Sequence, residues 1–355
     1  MVGQSQSNVT SNKKVLFVKS PGDGWYKPGE HSKVVEEKID LGQEPLNGGV
    51  LVKTLSVSLD PYLRGRMRDP GVPSYFAEFV MNGPMQSQGI GKVLRSENSH
   101  YKEGQLIVCG QLYWAEYSIL HGELLTAATF AVPDDINISP TNWLSGAGMP
   151  GQTAYLGLFE IGKPKKGETL FVTAASGAVG QIVGQLGKAH GMKVIGSAGN
   201  DEKVQQLKNH GYDVAFNYKT QNTRDILQEH APLDVFFDNV GAENLDHFLE
   251  FAKKFGRIVS CGAISGYNVS TDQLYGMKEW QQFFKKCIRM EGFLVGDFDR
   301  EKRQEARLKL AKLIANGELK VVEDITEGID NAEEALLGIF HGKNTGKAIV
   351  RFAEE

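Results

Sequence analysis

The chain has 355 residues, of which 41% are apolar and 23% charged, and its formal net charge is −4. That length accommodates two domains with separate cores, and the balance of charge gives no basic excess to draw the protein to nucleic acid. No apolar run approaches the roughly 20 residues that span a bilayer, so no membrane partner is expected either.

Met1–Asn12 lacks the basic and apolar regions of a signal peptide and reads as a polar, disordered tail. A cytoplasmic location is the default expectation, and the glycosylation match Asn8-Val9-Thr10 is then accidental. From residue 13 to about 140 the sequence is strand-rich. Val15–Val18, Gly49–Val57, Gly89–Leu94, Gln105–Cys109 and Ala115–Leu120 are short β-branched or alternating runs punctuated by Gly, Pro and Asn, which suits a barrel-like all-β unit. From about 145 the rhythm changes. Strands are expected at 169–173, 193–197, 213–216, 234–238 and 256–261, with helices at 151–160, 178–190, 201–210, 221–230 and 242–254. Strands alternating with helices of this length predict a doubly wound parallel sheet of the Rossmann type. Arg300–Asn316 is an amphipathic helix, and Gly317 stands where a C-cap glycine belongs. Val321–Ile325 and Gly346–Phe352 return to strand character and are expected to rejoin the first domain. The expected fold is therefore α/β: a nucleotide-binding domain over 143–317 and a β-rich substrate domain built from 13–142 and 318–355. The active site belongs in the cleft between them, at the carboxyl edge of the parallel strands.

The three cysteines, Cys109, Cys261 and Cys287, are far apart, and the eight histidines are scattered. No ligand-spaced pair of cysteines or histidines exists, so no metal is expected. Cys261 ends an apolar strand without a nearby histidine and reads as a small buried hydrophobe.

Between the strand at 169–173 and the following helix lies Ala174-Ala175-Ser176-Gly177-Ala178-Val179-Gly180. In that setting a glycine-rich loop cradles a pyrophosphate. Gly177 lets the backbone approach phosphate, Gly180 lets helix pack on strand, and the helix N-terminus faces the anion. Ala175 replaces the first glycine of G-x-G-x-x-G, so an ordinary strand–helix turn stays open as a reading. The next strand distinguishes cofactors. An NAD site wants a carboxylate about 20 residues past the loop, but this strand runs into Gly196-Ser197-Ala198-Gly199-Asn200. Asp201 and Glu202 suit the first turn of a helix, and Lys203 can pair with a 2′-phosphate. The pattern favours NADPH over NADH, with a solvated helix lysine as the alternative for Lys203.

Behind the β-rich unit come Met149–Tyr155, Ala174–Gly180, Ala198–Lys203, Phe216–Tyr218, Phe237–Gly241, Cys261–Ser265 and Gly346–Val350, in that order. With these motifs nearly the whole chain, excluding the first dozen residues, resembles the zinc-independent medium-chain dehydrogenase/reductases, in particular the prostaglandin/alkenal reductases and plant double-bond reductases. The zinc alcohol dehydrogenases carry a G-H-E segment and a run of four cysteines. Here the corresponding region reads Ser87-Gln-Gly-Ile-Gly-Lys92 and the cysteine run is absent. Without a Lewis acid to polarise an alcohol or ketone, reduction of a conjugated C=C bond is favoured.

The resemblance implies a GroES-like barrel beside the Rossmann domain, NADPH as cofactor, a small unsaturated carbonyl as substrate, and a homodimer joined edge to edge through its nucleotide domains. It implies hydride transfer to the β-carbon of an unsaturated aldehyde or ketone. Tyr267, in Ile264-Ser-Gly-Tyr-Asn268, and a ribose hydroxyl would steady the enolate, with the α-carbon proton from water or Tyr267. Tyr62, in Asp60-Pro-Tyr-Leu-Arg64, resembles the tyrosine of a D-P-Y-M-R segment and would orient substrate. Lys203, Gly199, Asn200 and Tyr218 would hold the 2′-phosphate. Thr153, Asn239, Cys261, Gly262, Ala263 and Ile264 would line the nicotinamide side. Phe293 and Val295 resemble a strand meeting the carboxamide, and Asn344 before Gly346 would reach the cofactor from the tail. Each tyrosine also has a plainer reading: Tyr267 as a loop residue packed on the nicotinamide edge, Tyr62 as a core or turn aromatic. Asp60 and Arg64 read as a structural ion pair, and Met67, Met85 and Trp114 as core before cleft wall. Segments 68–86 and 266–292 would shape the pocket. A quinone reductase of the same fold and a non-catalytic nucleotide-binding protein are the competing functions.

Overall fold

The first strand is longer than its composition suggests. In the computed structural model, which describes residues 8–125 and 128–354, β1 (Val9–Phe17) pairs antiparallel with β2 (Ser32–Asp40) along its whole length. Residues 9–12 are thus strand, not disordered tail; the rest of that expected tail, residues 1–7, lies outside the described residues. Asn12 shows why. It is buried, its amide donates to the Tyr117 carbonyl at 3.1 Å, and its side-chain oxygen accepts the Tyr117 N–H at 3.0 Å. A polar side chain here takes the place of a backbone pairing, which a search for apolar alternation does not register.

The chain divides into two units: Met1–Leu144 with Asp324–Lys343 and Ala348–Glu355, and Ser145–Glu323 with Asn344–Lys347. In the first, β3 (Val50–Ser58) is buried at every position but Lys53. After it come α1 (Leu63–Arg66), β4 (Gln86–Ser96), β5 (Leu106–Tyr113), β6 (Tyr117–Leu120) and β7 (Phe130–Ala131). β3 pairs antiparallel with β4 and β6, and β5 with β4 and β7. Met67, Met85 and Trp114 are fully buried with Val15, Phe17 and Leu63. They are core residues.

The second unit begins with α2 (Met149–Leu156), which widens into a π-turn at Gly157–Gly162. It continues through β8 (Thr169–Val172), α3 (Gly180–Ala189), β9 (Lys193–Ala198), α4 (Asp201–Asn209), β10 (Val214–Asn217), α5 (Thr223–Glu229), β11 (Leu233–Asp238), α6 (Glu243–Phe251), β12 (Ala252–Ser260), α7 (Gln282–Lys286), β13 (Arg289–Gly292) and α8 (Arg300–Ala315). The strand order is β10-β9-β8-β11-β12-β13, and every pairing is parallel. β8 and β11 are buried at all positions, as strands covered on both faces must be. The helix expected over 242–254 stops at Phe251, because Ala252 already pairs with Leu233 and opens β12. β14 (Glu323–Glu327), α9 (Ala332–Phe340) and β15 (Lys347–Arg351) close the chain, and β15 pairs antiparallel with β3. Among the described residues no helix is long and apolar enough to cross a membrane.

Candidate functional site

Strand order reverses between β8 and β11, and a doubly wound sheet opens a crevice outside the carboxyl ends at that point. Thr173 and Asn239 follow those two strands and are bonded to each other. The Asn239 N–H donates to Thr173 Oγ1 at 2.9 Å, and Asn239 Nδ2 donates to the Thr173 carbonyl at 2.8 Å. Thr173 Oγ1 in turn donates to Asp238 Oδ1 at 2.8 Å. Asp238 is buried and also accepts the N–H groups of Val240 and Gly241, each at 3.0 Å. Burial still raises its pKa above the ordinary carboxylate range, against the pull of those donors. The network fixes the rim of the crevice.

The loop after β8 is shaped for an anion. Ala174 takes the left-handed conformation (φ 46°), and its carbonyl accepts the Gly177 N–H at 2.9 Å. A Cβ on Gly180 would lie 2.5 Å from the Ala174 carbonyl oxygen and 2.7 Å from Ala175 Cα, so only glycine fits. No side chain caps α3 at Val179. Among the described residues no acceptor takes the N–H of Ala178, Val179 or Gly180. These are the open donors that a pyrophosphate satisfies, so the loop fits the cofactor expected from the sequence. The tail lies against it: Gly346 donates its N–H to the Ser176 carbonyl at 3.0 Å, and Asn344 Nδ2 donates to the Gly346 carbonyl at 2.8 Å. Gly346 has φ 79°, and a Cβ there would meet the Val322 carbonyl oxygen at 2.1 Å.

Gly199, Asn200, Lys203 and Tyr218 gather at the ends of β9 and β10. Asn200 Oδ1 accepts the Lys203 N–H at 2.8 Å as the N-cap of α4, which leaves Nδ2 as the amide's donor. Lys203 is 6% exposed, so it is not a solvated helix lysine. The Tyr218 N–H donates to the Ala198 carbonyl, and its ring is exposed. A Cβ on Gly199 would be 3.3 Å from Tyr218 Oη and 3.6 Å from Lys219 Cε. Lys219 therefore stands beside the expected phosphate-binding residues. Sequence reasoning passed over it, although its place next to Tyr218 was the available signal.

After β12, the N–H groups of Cys261 and Gly262 donate to the Asp238 carbonyl at 2.9 and 3.1 Å. Burial pushes the Cys261 thiol up to about 12, with the Asp238 carboxylate adding to the effect. The thiol stays protonated, which suits a packing role and not a nucleophile. Tyr267 folds back over this turn. Its oxygen lies 3.5 Å from the Ala263 nitrogen, and a Cβ on Gly262 would sit 3.5 Å from the same oxygen. Burial raises the phenol above its ordinary pKa, so it holds its proton as a donor. Ile264 begins a short 3₁₀ turn that leads to Tyr267. Thr153 Oγ1 is engaged by the Met149 carbonyl one helical turn back, at 2.8 Å. Phe293 and Val295 are not strand residues: β13 ends at Gly292, and Val295 opens a 3₁₀ turn. Phe293 instead packs its ring toward Gly157 and edge-on to Phe298.

Tyr62 belongs to the first unit. It stacks on Phe76 with ring centroids 4.6 Å apart, and Phe76 contacts Tyr75. Arg68 holds that loop by donating to the carbonyls of Gly65, Val72 and Phe76 and to the Glu78 carboxylate. Arg64 donates to the Gly22 and Gly24 carbonyls, both at 2.7 Å, while Asp60 accepts the Ser58 hydroxyl. Among the described residues no three His, Cys, Asp or Glu side chains form a set able to hold a metal ion.

Comparison with known proteins follows the same two parts. Residues 178–315 match the family described as zinc-binding dehydrogenase, and residues 23–128 match the N-terminal domain of oxidoreductase. The chain is 40% identical to the NADP-dependent 2-alkenal reductase of Nicotiana tabacum, over 97% of its own length and 98% of the relative. It is 40% identical to the (+)-pulegone reductase of Mentha piperita, over 87% and 89% of the two chains. Among solved structures, CurA of Vibrio vulnificus in complex with NADPH superposes with a TM-score of 0.86 at 31% identity, covering 97% of this chain and 100% of that one.

Proposed function

Because this chain belongs to the medium-chain dehydrogenase/reductase family, in its alkenal and enone reductase branch, we propose that it reduces the conjugated C=C bond of α,β-unsaturated aldehydes and ketones. It is an NADPH-dependent oxidoreductase. Its relatives named for a substrate include a 2-alkenal reductase, a (+)-pulegone reductase and a prostaglandin reductase. NADPH, when bound, supplies the hydride that such a reduction needs.

The chain's own residues would act as follows. The open N–H groups of Ala178, Val179 and Gly180, with Ser176 and Gly177, would hold the pyrophosphate, while Gly199, Asn200, Lys203 and Tyr218 would take the 2′-phosphate. Thr153, Asn239, Cys261–Ile264, Asn344 and Gly346 would border the nicotinamide ribose, with the backbone of Phe293 and Val295 near the carboxamide. Tyr267 would donate to the substrate carbonyl oxygen as it gains negative charge, and Tyr62 would orient the substrate against an aromatic surface. The Tyr267 hydroxyl folded over the Cys261–Ala263 turn, 3.5 Å from the Ala263 nitrogen, is the observation that carries this reading, since an enolate needs a hydrogen-bond donor. No metal is required.

We also propose a homodimer. Met290 on β13, the last strand of the parallel sheet, is exposed, and so are Trp280 and Phe284 at α7, which precedes that strand in the chain. The test of function is NADPH oxidation by the purified chain with a series of 2-alkenals and enones, with a quinone in parallel and NADH as control. Turnover of the unsaturated carbonyls with NADPH is expected. Turnover of quinone alone overturns the substrate assignment, and no turnover of either overturns the reaction.

A further inference from the structure

We propose that Lys219 is a second cation of the 2′-phosphate subsite, and that Asn217 is the positioning residue that makes the subsite selective; the inference rests on the NADPH reading above. Three observations support it. First, Gly199 is bordered by the Tyr218 oxygen and the Lys219 side chain, at 3.3 and 3.6 Å from where a Cβ would stand. A side chain would fill that recess; glycine leaves it to a ligand. Second, the two lysines differ. Lys203 is buried. Lys219 is exposed, and among the described residues its ammonium has no acidic partner. A phosphate monoester carries nearly two negative charges at neutral pH, so one lysine leaves it undercompensated.

Third, a carboxylate in the same first turn is engaged by Asn217. Asp201, in the first turn of α4, is the acid that could accept from the free 2′-hydroxyl of NADH. Its Oδ1 accepts from Asn217 Nδ2 at 2.8 Å. The other end of the same amide, Asn217 Oδ1, accepts the Lys219 N–H at 3.1 Å. Asn217 is 6% exposed and ends β10, so its amide is held by the sheet. One buried side chain thus engages Oδ1 of the acid and fixes the backbone that carries Lys219.

The experiment measures binding of 2′,5′-ADP and 5′-AMP to the full chain by calorimetry, across a range of salt. Lys219→Ala is expected to weaken 2′,5′-ADP roughly tenfold, to leave 5′-AMP unchanged and to flatten the salt dependence. Lys219→Arg should retain the preference. Asn217→Ala should lower the ratio of the two affinities, and adding Asp201→Asn should bring it back. An unchanged ratio in Lys219→Ala overturns the inference while NADPH binding stands. Equal affinity of the unaltered protein for the two ligands overturns the NADPH reading, and this inference with it.

Discussion

Tyr267 is the side chain on which the proposed chemistry turns. Burial raises its pKa, so the neutral form that donates persists through the ordinary phenol range. Activity that needs this proton is present at lower pH and lost as pH rises through the raised value. The kcat profile with an enone should be level up to about pH 10 and fall above it; a decline centred near neutrality would assign the donor elsewhere. Tyr267→Phe should lower kcat about 100-fold with NADPH binding unchanged, as single-turnover and binding measurements would show. Tyr267 was singled out by its motif, and the fold brings its hydroxyl over the Cys261–Ala263 turn. Lys203 stood out in the sequence as a residue type, and its burial, which the sequence does not show, sets aside the reading as a solvated helix lysine. Lys219 was not legible, because an exposed lysine looks alike in any loop until the fold brings Gly199 beside it.

At the scale of elements, packing decides what can change. Gly180→Ala would drive a methyl into the backbone of Ala174 and Ala175 where β8 meets α3. A loss of about 2 kcal/mol in stability and weaker NADPH binding are expected from denaturant melts and titration; wild-type values for both would mean that the turn yields freely. Arg257 on β12 ties down the turn before β8. Its guanidinium donates to both Glu168 oxygens, at 2.8 and 2.5 Å, and to the Gly162 and Lys163 carbonyls, each at 2.9 Å. Burial disfavours the Glu168 charge, but the hydrogen bonds from Arg257 and the Lys165 N–H outweigh it and lower the pKa. That contribution to stability is complete above the unfolded carboxylate pKa and disappears as pH falls through the lower folded value. Arg257→Ala should cost about 3 kcal/mol at neutral pH, and its deficit in melting temperature should narrow below about pH 4. A deficit independent of pH would leave Glu168 out of it. The parallel strands were readable because burial on both faces demands continuous apolar runs. β2 was not, because Ser32-Lys-Val-Val-Glu-Glu-Lys-Ile-Asp40 is mostly polar and relies on pairing with β1. The strand that the resemblance implied for Phe293–Val295 was not found: β13 ends at Gly292, Val295 opens a 3₁₀ turn, and Phe293 packs edge-on to Phe298.

For the whole molecule, the division into a parallel-sheet unit and an antiparallel unit was legible from the change in periodicity near residue 145, since period-2 runs and strand–helix alternation place different demands on sequence. The proposed dimer belongs to this scale. Light scattering should give twice the mass of one chain, and Met290→Asp with Trp280→Asp should halve it while leaving the fold intact by circular dichroism; a single-chain mass before substitution would overturn the dimer. The seating of Gly346 on Ser176 has a bearing on biosynthesis. Residues 174–180 leave the ribosome long before residues 344–347 exist, so a nascent polypeptide carries the loop after β8 without this strap while the intervening residues are made. The loop is therefore joined by its strap only after about 160 further residues have been added, and a message truncated just ahead of Asn344 would yield a protein that lacks it.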